Sequence, residues 1–317
     1  MKRLLVLGAS GAIGAAVAND AVSAGWDVSA GVRDRHSSTR RPLANCVSLH
    51  VCDLSRLDEV RSLFGVVMPE LVVMAASPPG HPCTSGERRS SVTDNLAIHL
   101  AVCEAMAGVA DRCRLVTLGS STAYGQGNET RDPQGVMAPN TFKGAVKATE
   151  SITVSTMARV HQFPCTELRI FCAYGPWMSH DRVLTRLLKA ALTSTRVPLS
   201  AAPLPRDWVH HDDIARACLS AAEIDTREPT VFNLCSGQLR DVREVANILE
   251  AITGCELIAE SPYPGPDRLG AVMPGMLPAD EHGFSWRPHI ELEAGIEACW
   301  RWARTDPGRR YLLAETG

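Results

Sequence analysis

The sequence predicts an α/β fold built on a doubly wound parallel sheet. Short, almost continuously apolar runs have the composition of strands that are covered on both faces. They lie at Arg3–Gly8, Asp27–Arg33, Val47–Cys52, Leu71–Ala76, Arg114–Gly119 and Thr166–Phe171. Segments of helical length that are rich in Ala, Val and Leu separate most of them, and this alternation is typical of parallel sheets. Right-handed crossovers would place ligands outside the carboxyl ends of the strands.

The composition of the chain changes after about Gly175. Proline and glycine become frequent, and one more apolar run, Val231–Leu234, is expected to return to the sheet. We therefore predict a smaller, discontinuous C-terminal substrate domain. On this interpretation the first domain comprises residues 1–175 and about 206–235, and the substrate domain comprises residues 176–205 and 236–317.

Bulk properties argue against several classes of protein. A net charge of −3, with 45% hydrophobic and 21% charged residues, is typical of a globular protein and offers no basic surface for nucleic acid. No segment has the roughly 20 uninterrupted apolar residues of a membrane span, and early glycines interrupt the run that resembles a signal peptide. The eleven cysteines show no C-x-x-C pair and no zinc spacing, so we expect free thiols in a cytoplasmic protein without a metal.

A glycine-rich turn follows the first strand and opens an Ala/Val-rich helix. Gly8 permits the tight turn, Gly11 lets the backbone approach a pyrophosphate, and Gly14 allows close helix packing. The helix N-terminus then offers free N–H groups to the phosphates. The turn predicts a Rossmann dinucleotide site, with an ordinary glycine turn as the alternative. The expected cofactor contacts are Gly8, Ser10, Gly11, Ala12, Ile13 and Gly14.

The end of the second strand bears on the choice of cofactor. Arg33 is placed to pair with a 2′-phosphate, which favours NADP(H), and Arg35 would assist. Asp34 keeps NAD as an alternative, because a shift of one residue would bring its carboxylate to the ribose. Arg33 as a solvated charge is the other interpretation. Asp53, at the end of the third strand, is placed for the adenine edge or for a helix N-cap.

Further landmarks occur in order along the whole chain. They are Asp53-Leu54, Ala75-Ala76, Asn95, Ser120 to Gly125, Lys147 with Glu150, Leu168 to Phe171, Tyr174-Gly175-Pro176, Arg206 to Asp213, Phe232-Asn233-Leu234 and Trp286-Arg287-Pro288. With the glycine turn, they make the chain resemble the extended short-chain dehydrogenase/reductase family of the NAD-dependent epimerase/dehydratase type. The resemblance implies that Leu54, Ala75 and Ala76 lie in the cofactor site. It also implies a homodimer formed through the helix near Lys143 and the helix around Asn95–Met106.

In this family a serine or threonine, a tyrosine and a lysine surround the nicotinamide. Ser120 matches the first position, and Lys147 matches the lysine that binds the nicotinamide ribose. The tyrosine should stand four residues earlier on the same helix face, where this sequence has Lys143. The catalytic tyrosine is therefore missing. Tyr124 and Tyr174 match positions that serve the loop backbone in the family, so we do not expect either to replace it.

Lys143 has several interpretations. A neutral lysine can transfer protons, and burial, Lys147 and an oxidised nicotinamide would lower its pKa from about 10.4 towards roughly 7–8. A charged Lys143 would instead polarise a keto oxygen. It would otherwise anchor a substrate phosphate or carboxylate, or point into solvent. The alternatives for Ser120 and Lys147 are a backbone hydrogen bond and an exposed helix lysine, respectively.

The substrate side offers weaker candidates. Thr122 stands where epimerising relatives place an acid or base, although threonine is a poor base. His81 and His180 have a suitable pKa, with a surface or structural role as the alternative. The resemblance implies diphosphate contacts for Arg206 and Arg268, for which surface arginine is the alternative. The full set of expected substrate contacts is Ser77, His81, Ser121, His180, Arg206 and Arg268.

Two departures from common motifs limit the interpretation. Cys172 stands where sugar-nucleotide relatives often carry asparagine, which weakens the prediction of a sugar substrate. His210 to Asp213 resemble a metal cluster, but the family pattern explains them as a turn into a helix, so no metal is predicted.

Three functions follow. The first is an NADP(H)-dependent reductase or epimerase acting on a keto or hydroxy group of a nucleotide-activated sugar or a similar small metabolite. The second is a redox-neutral lyase, dehydratase or isomerase in which Lys143 moves protons. The third is a non-catalytic dinucleotide-binding protein.

Overall fold

The computed structural model describes residues 1–33, 41–77, 84–127, 129–200, 202–261 and 274–314. Its strands are β1 (Arg3–Leu7), β2 (Asp27–Val32), β3 (Ser48–Val51), β4 (Leu71–Met74), β5 (Arg114–Ser120), β6 (Cys165–Ile170), β7 (Cys172–Tyr174), β8 (Val197–Ser200), β9 (Pro205–His210), β10 (Thr230–Leu234), β11 (Leu239–Asp241) and β12 (Ile258–Ser261). Seven of them form a parallel sheet in the order β10-β6-β5-β4-β1-β2-β3. The predicted doubly wound sheet is confirmed, and its strand order reverses between β1 and β4, where such folds bind ligands.

Helices cover both faces of this sheet. They are α1 (Ala12–Ser23), α2 (Leu57–Val67), α3 (Ser85–Ala107), α4 (Phe142–His161), α5 (Val183–Thr193), α6 (His211–Ser220), α7 (Val242–Thr253), α8 (Leu292–Ala303) and α9 (Asp306–Leu313). Side chains of a strand alternate between faces. Accordingly Leu4 and Val6 of β1 pack with α1 and α6, whereas Leu5 and Leu7 pack with α2, α3 and α4. None of the helices described is both long and apolar enough to cross a bilayer.

A separate apolar core lies among the later elements. It joins α5, α7, α8 and α9 with Tyr174 and Trp208, which belong to the small sheet β11-β9-β7. Phe284 and Trp286 pack instead in the core that holds α1 and α6. The division into 1–175 with 206–235, and 176–205 with 236–317, stays a prediction.

Candidate active site

The glycine turn after β1 has one position that leaves space for a ligand. Gly8 has a φ of +91°, and a Cβ there would lie 2.5 Å from the backbone nitrogen of Ala76. A Cβ at Gly14 would overlap the carbonyl oxygen of Gly8. Among the described residues beyond its own helix, a Cβ at Gly11 would meet only that same oxygen, at 3.5 Å. Gly8 and Gly14 are therefore required by backbone packing, whereas Gly11 borders free space.

The N-terminus of α1 is open to an anion. Gly11 is the N-cap residue, it has no side-chain cap hydrogen bond, and the first turn holds no acidic residue. The first N–H groups of a helix lack partners within the helix and carry the positive end of its dipole. Ser10, Ala12 and Ile13 lie in the same turn and the start of α1. The predicted phosphate contacts thus surround one set of available N–H groups, which fits a pyrophosphate.

The neighbouring strands carry the other predicted cofactor residues. Arg33 follows β2 and is exposed, while Ala75 and Ala76 follow β4 and are half-buried. Leu54 is half-buried and packs against the core beneath α2. Asp34 and Arg35 lie outside the described residues.

Asp53 does not cap the next helix. Its carboxylate accepts hydrogen bonds from the backbone N–H and the hydroxyl of Ser55, at 3.0 and 2.7 Å. These bonds hold the pKa of Asp53 below its usual value, with a smaller effect from the charge of Arg33. The N-cap of α2 is Arg56. Asp53 is exposed at the carboxyl edge of the sheet, where the adenine interpretation requires it.

The turn at the end of β5 supports the start of α4. The hydroxyl of Ser120 accepts the N–H of Thr122 at 3.3 Å and lies 2.9 Å from the Thr122 hydroxyl. A Cβ at Gly144 would overlap the carbonyl oxygen of Thr122, so only glycine allows α4 to approach this turn. The first turn of α4, with Lys143, therefore lies directly against the turn that begins with Ser120.

Lys143 is half-buried in this first helical turn. Burial, together with the smaller effects of the charges of Arg182 and Lys147, lowers its pKa from the usual 10.5 to about 8. The N-terminal end of a helix also disfavours a cation. All of these effects disfavour the ammonium form of Lys143. The neutral amine form is therefore accessible near neutral pH.

Neither tyrosine of the neighbouring motifs takes the place of the missing phenol. Tyr124 is buried, and its hydroxyl donates to Asn233 Oδ1 at 2.7 Å. Burial raises its pKa to about 12. Tyr174 is buried in the core with α5 and α8, where burial raises its pKa. Both positions are structural, which leaves Lys143 as the titratable group at the tyrosine position.

Comparison with known proteins decides the family. Residues 4–235 match the family described as "NAD dependent epimerase/dehydratase family". This chain belongs to that family.

Several relatives are epimerases of nucleotide sugars. The chain is 25% identical over 272 residues to UDP-glucuronate 4-epimerase 2 of Arabidopsis thaliana, which covers 79% of this chain and 62% of that protein. It is 25% identical over 179 residues to dTDP-L-rhamnose 4-epimerase of Burkholderia thailandensis, covering 54% and 48% of the two chains. The matched region thus spans about three fifths of the length of the first relative and about half of the length of the second.

Solved structures share the fold over almost the whole chain. UDP-glucose 4-epimerase of Thermotoga maritima with UDP-glucose superposes with a TM-score of 0.84 at 21% identity, covering 95% of this chain and 98% of that one. MoeE5 in complex with UDP-glucuronic acid and NAD superposes with a TM-score of 0.83 at 22% identity, covering 95% and 99%. At these identities the likeness establishes the fold.

In this epimerase/dehydratase family member, Cys172 lies within range of the charges of several ionisable side chains. Burial raises the pKa of its thiol to about 11, against the opposing charges of Arg182, Arg206 and Lys143. Arg206 is buried, and its Nη1 donates to the carbonyl of Pro205 at 2.8 Å. Arg182 was not predicted, although its place shortly after the Tyr174-Gly175-Pro176 motif was a usable signal.

The other substrate candidates lie in different surroundings. His180 stacks on the ring of Tyr311 from α9, with ring centroids 4.7 Å apart. Ser77 is exposed after β4, and Ser121 is half-buried in the turn after β5. Thr122 is buried and its hydroxyl is hydrogen-bonded to the hydroxyl of Ser120, so it is not placed to act as a base. His81 and Arg268 lie outside the described residues.

The sequence did not reveal a buried charge network beneath α4. Glu167 of β6 accepts hydrogen bonds from Arg169, at 3.2 Å, and from Ser151 of α4, at 2.5 Å. The guanidinium of Arg169 lies over the ring of Tyr124, 4.9 Å from its centroid. Two charged residues at positions i and i+2 of a central strand share one face, and that pattern could have revealed the pair.

The paired histidines serve the fold. His210 ends β9, and its Nδ1 accepts the N–H of Asp212, which caps α6. His211 is buried, and burial lowers its pKa to about 3. Across the described ranges, no group of three His, Cys, Asp or Glu side chains is arranged to hold a metal ion.

Proposed function

We propose that this family member binds a nicotinamide dinucleotide and epimerises or reduces a nucleotide-activated sugar at a keto or hydroxyl carbon. The observation that carries the proposal is the half-buried Lys143 amine beside the Ser120 turn, at the same edge of the sheet as the open N-terminus of α1. The sugar-nucleotide names of the relatives support the substrate class.

The residues at the carboxyl edge fit the cofactor. The N–H groups of Ala12, Ile13 and Gly14 would hold its pyrophosphate, and Lys147 would hold its nicotinamide ribose. When bound, the nicotinamide supplies or accepts a hydride at the reacting carbon. The exposed Arg33 favours NADP(H), whereas the NAD in the MoeE5 complex favours NAD(H).

Lys143 would move the proton that accompanies the hydride. With a pKa near 8, roughly a quarter of the molecules carry the neutral amine at pH 7.5, against about 0.1% for an ordinary lysine. The neutral amine accepts the proton of a substrate hydroxyl, and the ammonium returns it to the keto oxygen. The Ser120 hydroxyl, held by Thr122, would hydrogen-bond to the same oxygen.

The substrate phosphates would meet Arg182 and Arg206. Both charges act on Cys172 at the start of β7, and guanidinium groups form strong paired hydrogen bonds to phosphate. The sugar would then extend from this cationic region towards Lys143.

A panel of nucleotide sugars tests the proposal. The protein is incubated with NAD+ or NADP+ and each sugar, while absorbance at 340 nm is followed and the products are separated by mass spectrometry and NMR. A new epimer without a lasting change in absorbance indicates epimerisation, and a lasting change indicates net redox. Loss of water from the sugar would indicate the dehydratase alternative. Cofactor binding without turnover of any sugar would favour a non-catalytic protein.

Replacement of Lys143 tests its role directly. K143A should lower kcat by at least about 100-fold, because general acid–base catalysis contributes roughly 10²–10⁴. K143Y should restore part of the activity, since a phenol is the family's own group. K189A, which removes an exposed lysine of α5, is the matched control. Full activity of both K143A and K143Y would remove Lys143 from the chemistry.

Binding measurements decide between the cofactors. If Arg33 pairs with a 2′-phosphate, R33A should weaken NADP+ binding by about 10- to 100-fold and leave NAD+ binding unchanged. Equal binding of NADP+ by R33A and the unmodified protein would leave Arg33 as a solvated charge.

A further inference from the structure

The proposed cofactor lysine, Lys147, forms a buried ion pair with Glu150. The ammonium of Lys147 donates to Glu150 Oε2 at 2.7 Å, from the following turn of α4. The two side chains are only 11% and 7% exposed. A lysine ammonium has three N–H donors, so this bond leaves two for another partner.

The second carboxylate oxygen of Glu150 is buried, and Glu150 lines a small cavity. Among the described residues Glu150 Oε1 is buried and has no hydrogen-bond partner. Glu150 lines a cavity of about 10 Å³ together with His99, Thr117 and Glu167. This volume suits a single water, and buried polar atoms are normally satisfied in this way.

His99 completes the surroundings of this cavity. Its Nδ1 lies 2.7 Å from the carbonyl oxygen of Asn95, so Nδ1 must carry the hydrogen. Burial lowers the pKa of His99, which keeps the ring neutral and leaves Nε2 as an acceptor. Nε2 lies 3.7 Å from Glu150 Oε2. A water in this cavity would have two hydrogen-bond acceptors, Glu150 and His99, among its lining residues.

We propose that Glu150 is a positioning residue that, with His99 and one internal water, fixes the Lys147 ammonium for the nicotinamide ribose. The proposal rests on the cofactor site described under the proposed function. Titratable groups on three elements surround Glu150: Lys147 on α4 and His99 on α3 contact it, and Glu167 on β6 lines the same cavity. Glu150 is the group that holds Lys147, because it accepts the only hydrogen bond from the Lys147 side chain to another described residue.

A double-mutant cycle on NAD+ affinity tests this role. Dissociation constants are measured by quenching of tryptophan fluorescence for the unmodified protein, K147M, E150M and K147M/E150M. E150M should weaken binding about tenfold, because the ammonium loses its fixed orientation. In the K147M background the same change should have no effect, since Glu150 acts through Lys147. E150Q keeps the volume and one oxygen acceptor, so it should weaken binding by a smaller factor.

The controls separate positioning from general damage. E223M removes the partner of Lys2 in an exposed ion pair outside this cluster, and it should bind NAD+ normally. If E150M does not fold, E150Q with and without K147M gives the same cycle. Penalties that add in the double variant, or wild-type affinity in both E150M and E150Q, would overturn the proposal. Absence of NAD+ and NADP+ binding in the unmodified protein would contradict the proposed function itself.

The internal water is tested separately. A high-resolution crystal structure should show one water within hydrogen-bond distance of Glu150 Oε1 and His99 Nε2. An empty cavity would remove the water from the proposal.

Discussion

Lys143 places a cation where the fold disfavours one. Burial, the charges of Arg182 and Lys147, and the N-terminal end of α4 all act against its ammonium. A group with a depressed pKa in the folded state lowers stability while it remains protonated. The residue that makes the proposed chemistry accessible near neutral pH therefore also destabilises the protein.

Removal of this lysine should stabilise the protein in a pH-dependent way. We expect K143M to raise the free energy of unfolding at pH 7 by roughly 1–3 kcal/mol, since one unit of pKa shift corresponds to about 1.4 kcal/mol. Below pH 8 the folded and unfolded chains both bind the proton, so the full penalty applies. Between pH 8 and 10.5 only the unfolded chain retains it, and the difference between K143M and the unmodified protein disappears.

Urea unfolding of both proteins at pH 7 and pH 10.5 measures this difference. K189M is the control, because its lysine is exposed on α5. A stability gain of K143M that is equal at both pH values would show that lost charge is not its cause.

The sequence predicted the site residues that belong to a motif or are related by their spacing along one helix. Lys143 and Lys147 are four residues apart on one helix, and the motif places Ser120. The contact between His99 and Glu150 joins two helices, and no spacing in the sequence links them. Pairing between elements depends on how α3 and α4 pack, which local patterns do not determine.

In the turn between β1 and α1, Gly14 is required by backbone packing, whereas Gly11 is expected to be required by ligand binding. A Cβ at Gly14 would overlap the carbonyl of Gly8, whereas a Cβ at Gly11 meets only one atom of the described residues beyond its own helix, at 3.5 Å. Gly11 lies at the open end of α1, where the proposed pyrophosphate would approach the backbone.

Two alanine substitutions should therefore fail in different ways. G14A should destabilise the protein by about 1–3 kcal/mol, because overpacking at a backbone contact forces the helix to shift. G11A should unfold at nearly the unmodified temperature but lose at least about tenfold in dinucleotide affinity, because its methyl group occupies the ligand space. Thermal unfolding and fluorescence titration distinguish the two. Normal dinucleotide binding by G11A would contradict a pyrophosphate at this turn.

The sheet was predictable because its strands are apolar and most of them are buried, although the edge strand β3 is largely exposed. Every predicted apolar run overlaps a strand of the seven-stranded sheet, and all of β4 is buried. The strands β7, β8, β9, β11 and β12 were not predicted. They are short, and β9 includes the buried charged residues Arg206 and Asp207, which break the apolar pattern. Their positions depend on tertiary hydrogen bonds rather than on composition.

Two buried carboxylates connect the distant parts of the chain. Asp207 accepts the N–H groups of Gly237 and Gly275 at 3.0 and 3.1 Å. Asp213 accepts the N–H groups of His289 and Ile290 at 2.9 and 3.1 Å. Both acids lie next to the cationic region around Arg206 in sequence. Segments from the last quarter of the chain are therefore tied to the elements that carry the proposed phosphate contacts.

At the scale of the whole molecule, the family resemblance predicts the assembly state. We expect a homodimer formed by the outer faces of α3 and α4. Ile152 and Val160 on α4 are 57% and 67% exposed, and Val92 on α3 is 37% exposed. Large apolar side chains that share a helical surface favour a protein interface. The same helix carries Lys143 and Lys147, so pairing would also hold the site in place.

Sedimentation equilibrium should give twice the chain mass of 34.2 kDa for the unmodified protein and a single chain mass for I152E/V160E. Charged residues at the centre of an interface would each lose water without a partner, which opposes association. V66E changes an equally exposed valine, 66% accessible on α2, and should remain dimeric. A monomeric unmodified protein would contradict the expected dimer, and dissociation by V66E as well would contradict this face. If pairing steadies α4, I152E/V160E should also bind NAD+ more weakly than V66E, because Lys147 and Glu150 lie on that helix.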